Sequence, residues 1–244
     1  MIFCIFSFNR GRFLANCVES IERCVPSADI IIFDDDSNDP ETIEQLNWLS
    51  EKYQVQSSGK SSNNRLGGLY GNMQRALEAC QGERLVCFLQ DDTQVVRPVG
   101  DDQIDAINTV FDSDERMGFL SPCFVRGRSV ERGASFQYDQ ARELFFRNED
   151  NRSVGRYFSA LLMMRPDRLI RHGWRFEGSE PDNEIRAQGL FGPMGYLKAP
   201  FAMWLPEVPA YRGKKKTLGL KLAEKKRKCG FYPFRIMNET ESRE

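Results

Sequence analysis

Two acidic clusters, each directly after an apolar run, contain the side chains of this chain best suited to chemistry. Residues 30–33 (Ile-Ile-Ile-Phe) precede three aspartates at 34–36, and residues 85–90 (Leu-Val-Cys-Phe-Leu-Gln) precede Asp91 and Asp92. A continuous apolar run bounded by turn-forming residues is typical of a strand covered on both faces. Carboxylates at the ends of such strands lie where open α/β sheets bind ligands. The two clusters therefore predict a site for a nucleotide and a divalent metal ion.

The second cluster favours a metal ion more strongly than the first. Asp91 and Asp92 are adjacent carboxylates after a predicted buried strand, so they would repel each other unless a cation or another partner accompanies them. Mg²⁺ and Mn²⁺ prefer oxygen ligands and bind through one or two carboxylates together with substrate phosphates. The alternative interpretation of this pair is a solvated turn.

The first cluster is followed by a helix start. Asp39, Pro40 and Glu41 are the residue types expected at an N-cap, a first helical position and a first turn. We therefore expect Asp39 to cap a helix. For Asp34 and Asp35, capping and ligand binding are equally compatible with the spacing.

Strand-like and helix-like segments alternate along the chain. The predicted strands are residues 2–6, 30–33, 53–56, 84–89, 118–120, 157–164 and 196–204. The predicted helices are residues 12–24, 40–52, 69–80, 101–111, 166–172 and 182–188. Residues 124–155 have weak periodicity and are interpreted as an elaborated loop region. This order predicts an α/β fold with a mostly parallel central sheet flanked by helices.

Composition excludes several functional classes. The chain has 244 residues, 41% hydrophobic and 28% charged, and a net charge of −1. With so little net charge no global field attracts nucleic acid, and we expect no nucleic-acid partner. Seven cysteines form no C-x-x-C pair, which predicts buried free thiols in a reducing cytoplasm rather than disulfides or zinc. The first apolar run, 2–6, is too short for a signal sequence or a membrane span.

Four short motifs together resemble family 2 glycosyltransferases of the GT-A fold. They are Ser-Phe-Asn-Arg at 7–10, the strand and acidic cluster at 30–39, Gly-Glu-Arg at 82–84 and Leu-Gln-Asp-Asp at 89–92. Members of that family open with a strand and a Thr/Ser-aromatic-Asn turn, then carry Asp-Asp-x-Ser, and later a metal-binding "DxD". The register is similar to the bacterial spore-coat type of the family. The resemblance is clear over residues 1–100 and looser afterwards, over 157–200.

The resemblance implies a single GT-A domain over residues 1–210. Its first half, 1–100, would bind a nucleotide-sugar, and its second half, 101–210, would hold the acceptor and the catalytic base. A basic tail, 211–244, would follow.

The resemblance also assigns roles to individual residues in the first half. Asp35 would bind the uracil or other base of the donor, and Ser7 and Asn9 would line the same pocket. Asp91 would contact the sugar or ribose. Asp92 would hold a divalent cation, Mn²⁺ or Mg²⁺, that bridges the diphosphate. A UDP-sugar is the expected donor.

One position departs from the family pattern. Gln90 stands where many relatives have the first aspartate of the "DxD" motif. A neutral side chain there leaves one charge fewer for the metal ion, so modest metal affinity is expected.

A third constellation supplies a candidate base. In relatives a "Gly-x-Phe-Asp … Glu-Asp-x-Glu-Leu" stretch places the base at the start of a helix, and by that alignment Asp182 takes the position while Pro181 replaces the usual preceding acid. Inverting transfer needs a carboxylate to accept the proton of the acceptor hydroxyl. The alternative is that Asp182 is only an N-terminal helix acid. His172, the single histidine, does not match the extra metal-ligand position of relatives and is expected at a helix end.

The region from 212 to 228 contains nine Lys or Arg against one acid, Glu224. One interpretation is a solvated face or tail. A second, implied by the resemblance, is that a cation such as Arg212 or Lys214 closes over the donor diphosphate. A third is peripheral contact with an anionic membrane, which would suit a lipid-linked acceptor.

The sequence therefore predicts a cytoplasmic glycosyltransferase that acts on a glycan or lipid-linked acceptor in cell-surface polysaccharide or glycoconjugate synthesis, or peripherally at the inner face of the membrane. One alternative is a sugar-nucleotide-binding module without turnover, which Gln90 and Pro181 favour. Another is a haloacid-dehalogenase-like phosphatase, although that fold carries its nucleophile on the first strand. A dinucleotide oxidoreductase is disfavoured because no G-x-G-x-x-G follows the first strand.

Overall fold

A computed structural model describes residues 1–58, 68–124, 136–149 and 155–205, together with positions 218, 222, 236 and 237. The described helices are α1 (Gly11–Cys24), α2 (Pro40–Ser50), α3 (Leu69–Ala79), α4 (Asp101–Ser113), α5 (Pro166–Arg171) and α6 (Glu180–Leu190). The described strands are β1 (Ile2–Ser7), β2 (Asp29–Asp34), β3 (Gln54–Ser57), β4 (Val86–Gln90), β5 (Thr93–Val95), β6 (Leu120–Ser121), β7 (Phe136–Asp139), β8 (Leu144–Arg147), β9 (Leu162–Met164), β10 (Gly195–Leu197) and β11 (Ala202–Trp204).

Nine of these strands form one mixed sheet in the order β3-β2-β1-β4-β9-β6-β10-β8-β7. The first four strands run parallel, as the alternation of strands and helices predicts. Beyond β4 the sheet is mixed, because β9 pairs antiparallel with both β4 and β6. Strands β5 and β11 form a separate antiparallel pair. The predicted α/β class with a large central sheet is confirmed.

Helices cover both faces of the sheet, so its central strands are apolar on both sides. In β1, Phe3 and Ile5 pack in one core cluster with residues of α1 and α4. Cys4 and Phe6, which point the other way, pack in a second cluster with residues of α3 and α6. This two-sided burial explains why the strands are continuous apolar runs rather than alternating ones.

The interpretation of 124–155 as a loop region is wrong for part of that stretch. β7 and β8 form an antiparallel hairpin, and β8 also pairs with β10. Two predicted long strands are also shorter than expected. Only Leu162–Met164 of the 157–164 segment is a strand, and 196–204 divides between two sheets.

The six described cysteines are buried and free, as predicted. Cys4 and Cys80 lie close together, with their sulfur atoms 3.6 Å apart. Cys229 lies outside the described residues. Among the described residues, no helix has both the length and the apolar character that crossing a membrane requires.

Candidate functional site

The carboxyl ends of three adjacent parallel strands meet at one edge of the sheet. β1 lies between β2 and β4, with Ser7 opposite Asp34 and Phe6 opposite Gln90. The two acidic clusters, which are about 55 residues apart in sequence, therefore flank the end of β1. This juxtaposition is the one expected at a ligand-binding edge of an α/β sheet.

Asp35 is fixed at this edge by backbone contacts. Its N–H donates to the carbonyl of Ser7 at 3.0 Å, and its carboxylate accepts the N–H of Gly68 at 2.7 Å. Gly68 precedes α3, and its lack of a side chain matters, because a Cβ there would lie 2.4 Å from Asp35 Oδ1. The glycine therefore allows the close approach that orients this carboxylate.

Ser7 ends β1 beside Asp35 and is 3% exposed. Within the described part of the chain its buried hydroxyl has no hydrogen-bond partner. Since buried polar groups normally find partners, this hydroxyl is suited to a ligand that enters the edge.

Asn9 connects two loops at the same edge. Its φ of 51° lies in the left-handed region, which asparagine tolerates better than most residues. Its Oδ1 accepts the N–H groups of Asn38 and Asp39 at 2.8 and 3.0 Å, and its N–H donates to Ser37 Oγ at 2.9 Å. Asn9 therefore ties the β1–α1 turn to the β2–α2 loop, and its predicted contact with a nucleotide stays a prediction.

Two aspartates of the first cluster have structural roles. Asp34 accepts the N–H and the hydroxyl of Ser37 at 2.7 and 2.6 Å, which shapes the loop after β2. Asp39 caps α2, since its carboxylate accepts the N–H of Thr42 at 3.0 Å. The predicted cap at Asp39 is confirmed.

The second cluster contains a cation that the sequence analysis did not identify. Arg10 Nη1 lies 3.0 Å from Asp91 Oδ1 and 3.5 Å from Asp92 Oδ2. Asp91 also accepts the N–H of Phe8 at 3.0 Å. The sequence signal was the predicted need of two buried carboxylates for a cation. Nothing local indicated that the cation would come from the end of β1.

Burial and charge act against each other at Asp91. Its side chain is almost completely buried, and this burial raises its pKa above the ordinary value. The guanidinium of Arg10 and the N–H of Phe8 oppose that rise. The same negative charges, together with burial as the larger cause, raise the pKa of the Cys17 thiol on α1.

Arg10 shares the surroundings of Asp91 and Asp92 with any divalent cation that would bind there, and the predicted metal role of Asp92 stays a prediction. The Arg10 guanidinium contacts one oxygen of each carboxylate, Asp91 Oδ1 and Asp92 Oδ2, which a metal ion could otherwise use. In the described ranges, no group of three or more His, Cys, Asp or Glu side chains could hold a metal ion.

The predicted base lies at the start of α6. Asp182 is exposed, and its Oδ2 accepts both the N–H and the hydroxyl of Ser179, at 2.8 and 2.6 Å. These hydrogen bonds, with the charge of Arg186, hold the pKa of Asp182 below its ordinary value. The carboxylate is therefore ionised, and it also has the capping role of the alternative interpretation.

A second carboxylate of α6, Glu180, was not singled out from the sequence. It is partly buried, and burial raises its pKa above the ordinary value against a hydrogen bond from the N–H of Ala160. Glu180 and Asp182 both raise the pKa of Tyr70, although burial of that phenol is the larger cause. Tyr70 is in the first turn of α3, so the charges at the start of α6 act on the helix that Gly68 precedes.

The single histidine lies at a helix end, away from the two acidic clusters in sequence. His172 ends α5, as expected, and its ring packs on Phe191 with centroids 5.5 Å apart. Arg212 and Lys214, predicted to contact the donor diphosphate, lie outside the described residues.

Residues 2–108 match the family model described as Glycosyl transferase family 2. Over these residues, a little less than half of the chain, the sequence is similar to family 2 glycosyltransferases. The match includes the ends of β1, β2 and β4 and continues into α4, and it does not favour the phosphatase alternative. The closer likeness to the spore-coat type stays a prediction. No curated protein matches this chain.

Solved structures share the fold of this chain. TarS 1-349 of S. aureus aligns with a TM-score of 0.55 at 14% identity, over 83% of this chain and 59% of that one. The same protein in complex with UDP aligns equally well, over 83% and 60%. The mannosyltransferase PcManGT of Pyrobaculum calidifontis, in complex with GDP-Man and Mn²⁺, aligns with a TM-score of 0.52 at 14% identity, over 80% and 55%.

These structures are GT-A glycosyltransferases, and at this identity the likeness shows the fold. The present chain spans about three fifths of the length of TarS 1-349.

Proposed function

We propose that this chain transfers a sugar from a nucleotide-diphosphate donor to an acceptor hydroxyl with inversion at the anomeric carbon. The observation that carries the proposal is the meeting of Ser7, Asp35 and Asp91 at the carboxyl ends of adjacent strands within the family 2 segment. This edge is where α/β sheets bind nucleotides. Beside the oriented carboxylate of Asp35 lies the buried Ser7 hydroxyl, which has no hydrogen-bond partner among the described residues and is suited to a ligand.

The donor is proposed to be a UDP-sugar. TarS was solved with UDP and PcManGT with GDP-Man, so a UDP-sugar is the first donor to test and a GDP-sugar the second. Asp35 would accept hydrogen bonds from the base, with Ser7 and Asn9 lining the same pocket. Asp91 would contact the ribose or the sugar. Arg212, from the basic segment, remains a proposed contact of the diphosphate.

The base is proposed to be Asp182. Its carboxylate would take the proton of the acceptor hydroxyl while that oxygen attacks the anomeric carbon. The bond from the anomeric carbon to the diphosphate oxygen breaks, and the nucleoside diphosphate leaves with the bonding electron pair. The free Oδ1 side of Asp182 suits this role, because both described hydrogen bonds from Ser179 go to Oδ2.

The sequence also favours Mn²⁺ or Mg²⁺ as a cofactor, and PcManGT was solved with Mn²⁺. In the present chain Arg10 lies against the carboxylates of Asp91 and Asp92. If an ion were bound, Asp92 would hold it, and the ion would supply charge stabilisation for the leaving diphosphate.

The biological setting is proposed from chemistry alone. Six buried free thiols fit a reducing compartment, which supports a cytoplasmic location. A glycan or lipid-linked acceptor in polysaccharide or glycoconjugate synthesis is the proposed partner, with the basic segment 212–228 as a peripheral membrane contact.

The base assignment is tested by Asp182→Asn. The amide oxygen can still accept the hydrogen bonds of Ser179, so the helix start is preserved. We expect transfer to fall at least a hundredfold while the Kd for the nucleotide-sugar changes less than threefold, measured by product formation and by calorimetry. Asp167→Asn, in the first turn of α5, is the matched control and should keep full transfer. Full transfer by Asp182→Asn would overturn the assignment.

A further inference from the structure

Arg10 contacts both carboxylates of the acidic pair at the donor edge. Its Nη1 atom is 3.0 Å from Asp91 Oδ1 and 3.5 Å from Asp92 Oδ2. Both aspartate side chains are 3% exposed and the arginine side chain is 17% exposed. A charge pair so far removed from water is screened little by salt, and the loss of one member removes this charge partner from the other.

The position of Arg10 in the chain is unusual for an arginine. It is the N-cap residue of α1, and its side chain makes no capping hydrogen bond. N-caps favour Ser, Thr, Asp and Asn, because their side chains accept from the first N–H groups of the helix. A cation at this end also opposes the helix dipole. Local helix physics therefore does not explain the arginine, whereas the two carboxylates do.

The backbone around Arg10 is held from two sides. The turn residue before it, Asn9, is bonded to Asn38 and Asp39 of the neighbouring loop. The N–H of Phe8 donates to the second oxygen of Asp91 at 3.0 Å. These hydrogen bonds fix the turn that precedes Arg10, and the fixed turn directs the guanidinium toward the two carboxylates.

We propose that Arg10 is a built-in cation of the Asp91–Asp92 pair and competes with divalent metal ions for the same carboxylate oxygens. A metal ion bound to Asp92 Oδ2 would lie within a few ångströms of the guanidinium. Two positive charges about 4 Å apart repel each other strongly at the effective dielectric of a partly buried site. A divalent ion that binds Asp91 Oδ1 and Asp92 Oδ2 must therefore displace the Arg10 side chain, and we expect the pair to bind metal ions weakly. That the pair serves a donor diphosphate rests on the proposed function; the competition itself does not.

The test is Mn²⁺ binding to the nucleotide-free protein, measured as free Mn²⁺ by electron paramagnetic resonance. We expect weak binding to the wild-type chain and at least tenfold tighter binding to Arg10→Gln. Arg12→Gln removes an exposed arginine that pairs with Glu41 and should leave Mn²⁺ binding unchanged. The double variant Arg10→Gln, Asp92→Asn should lose the tighter Mn²⁺ binding. That loss would locate the bound Mn²⁺ at the acidic pair.

Thermal unfolding gives a second readout. Arg10→Gln should melt at a lower temperature than the wild-type chain because it leaves two buried carboxylates without this cation, and Mn²⁺ should restore much of that loss. Mn²⁺ should shift the melting temperature of the wild-type chain far less. Should Arg10→Gln fail to fold, Arg10→Lys keeps a charge at the position and should retain weak Mn²⁺ binding.

Equal Mn²⁺ affinity in the wild-type chain and Arg10→Gln would overturn the proposal, as would tight Mn²⁺ binding by Arg10→Lys. Since no donor or acceptor is present, these outcomes are independent of whether the chain transfers a sugar. Loss of the proposed function would instead show as absent nucleotide-sugar binding with the Mn²⁺ results unchanged.

Discussion

At the scale of single residues, the orientation of Asp35 depends on the absence of a side chain at Gly68. The N–H of Gly68 donates to one carboxylate oxygen of Asp35 at 2.7 Å, and a Cβ would lie 2.4 Å from the other. The atom that must give way is the end of a side chain and not backbone. A larger residue at position 68 should therefore disturb the site more than the fold.

This leads to a prediction for Gly68→Ala. We expect it to weaken nucleotide-sugar binding at least tenfold in calorimetry, with a melting temperature close to that of the wild-type chain. Gly71→Ala, one turn along the same helix, is the matched control, since a Cβ there meets nothing within 4 Å. It should bind the donor normally and gain roughly 0.5–1 kcal/mol in stability. Normal donor binding by Gly68→Ala would show that Asp35 does not contact the nucleotide.

The dependence of kcat/KM on pH in the acidic range distinguishes between Asp182 and Glu180 as the catalytic base. A base works only when ionised, so activity falls as the pH falls through its pKa. Hydrogen bonds from Ser179 hold the pKa of Asp182 below its ordinary value of 3.8, whereas burial raises that of Glu180 above 4.5. With Asp182 as the base, kcat/KM should stay level down to about pH 4.5. If kcat/KM instead begins to fall at a pH above about 4.5, and this fall is absent in Glu180→Gln, the base is Glu180.

The sequence could predict residues whose roles follow from local pattern. Asp39 is an N-cap because of the residues that follow it, and Asp35 follows an apolar strand. Arg10 could not be predicted in the same way, because its partners come from β4 and the contact exists only once β1 lies between β2 and β4. The sequence predicted that Asp91 and Asp92 need a cation, but it did not predict that Arg10 supplies it.

At the scale of elements, α6 organises the segment that leads into β9. Glu184 Oε1 accepts the N–H groups of Arg156 and Tyr157 at 3.1 and 3.0 Å, and its Oε2 accepts those of Gly155 and Phe158 at 3.2 and 2.8 Å. One carboxylate therefore satisfies four backbone donors. An ionised, acceptor-only side chain is required for that pattern.

Glu184→Gln should consequently destabilise the fold. The amide NH₂ cannot accept, so two backbone N–H groups lose their partner, at about 1–3 kcal/mol in unfolding free energy. Urea denaturation followed by circular dichroism measures this loss. Glu44→Gln, on the exposed side of α2, provides the comparison and should change stability by no more than about 0.5 kcal/mol. Equal stability of the two variants would mean that the four contacts contribute little.

Elements with strong periodicity were predictable, and those defined by tertiary pairing were not. α1 carries buried residues at helical spacing, and β1 and β4 are buried apolar runs. β7 has no buried residue of its own, and it becomes a strand by pairing with β8, which is held by β10. β5 is only three residues long and depends on its partner β11.

At the scale of the whole molecule, the fold explains how two distant acidic clusters form one site. A sheet covered on both faces brings the ends of its parallel strands to a single edge, where the clusters flank β1. The family 2 match lies over this part of the chain. The sequence pattern could not predict the second half of the sheet, where the acceptor is proposed to bind, because there the sheet becomes mixed and its short strands carry little periodic signal.

The most direct test of the account is calorimetric binding of UDP-, GDP-, dTDP- and CMP-sugars to the wild-type chain and to Asp35→Asn, each with and without Mn²⁺. We predict that a UDP-sugar binds the wild-type chain in a one-to-one complex without added metal ion. Asp35→Asn should bind it at least tenfold more weakly while melting at an unchanged temperature. Absence of binding by every nucleotide-sugar under both conditions would contradict the proposal that this edge of the sheet is a donor site.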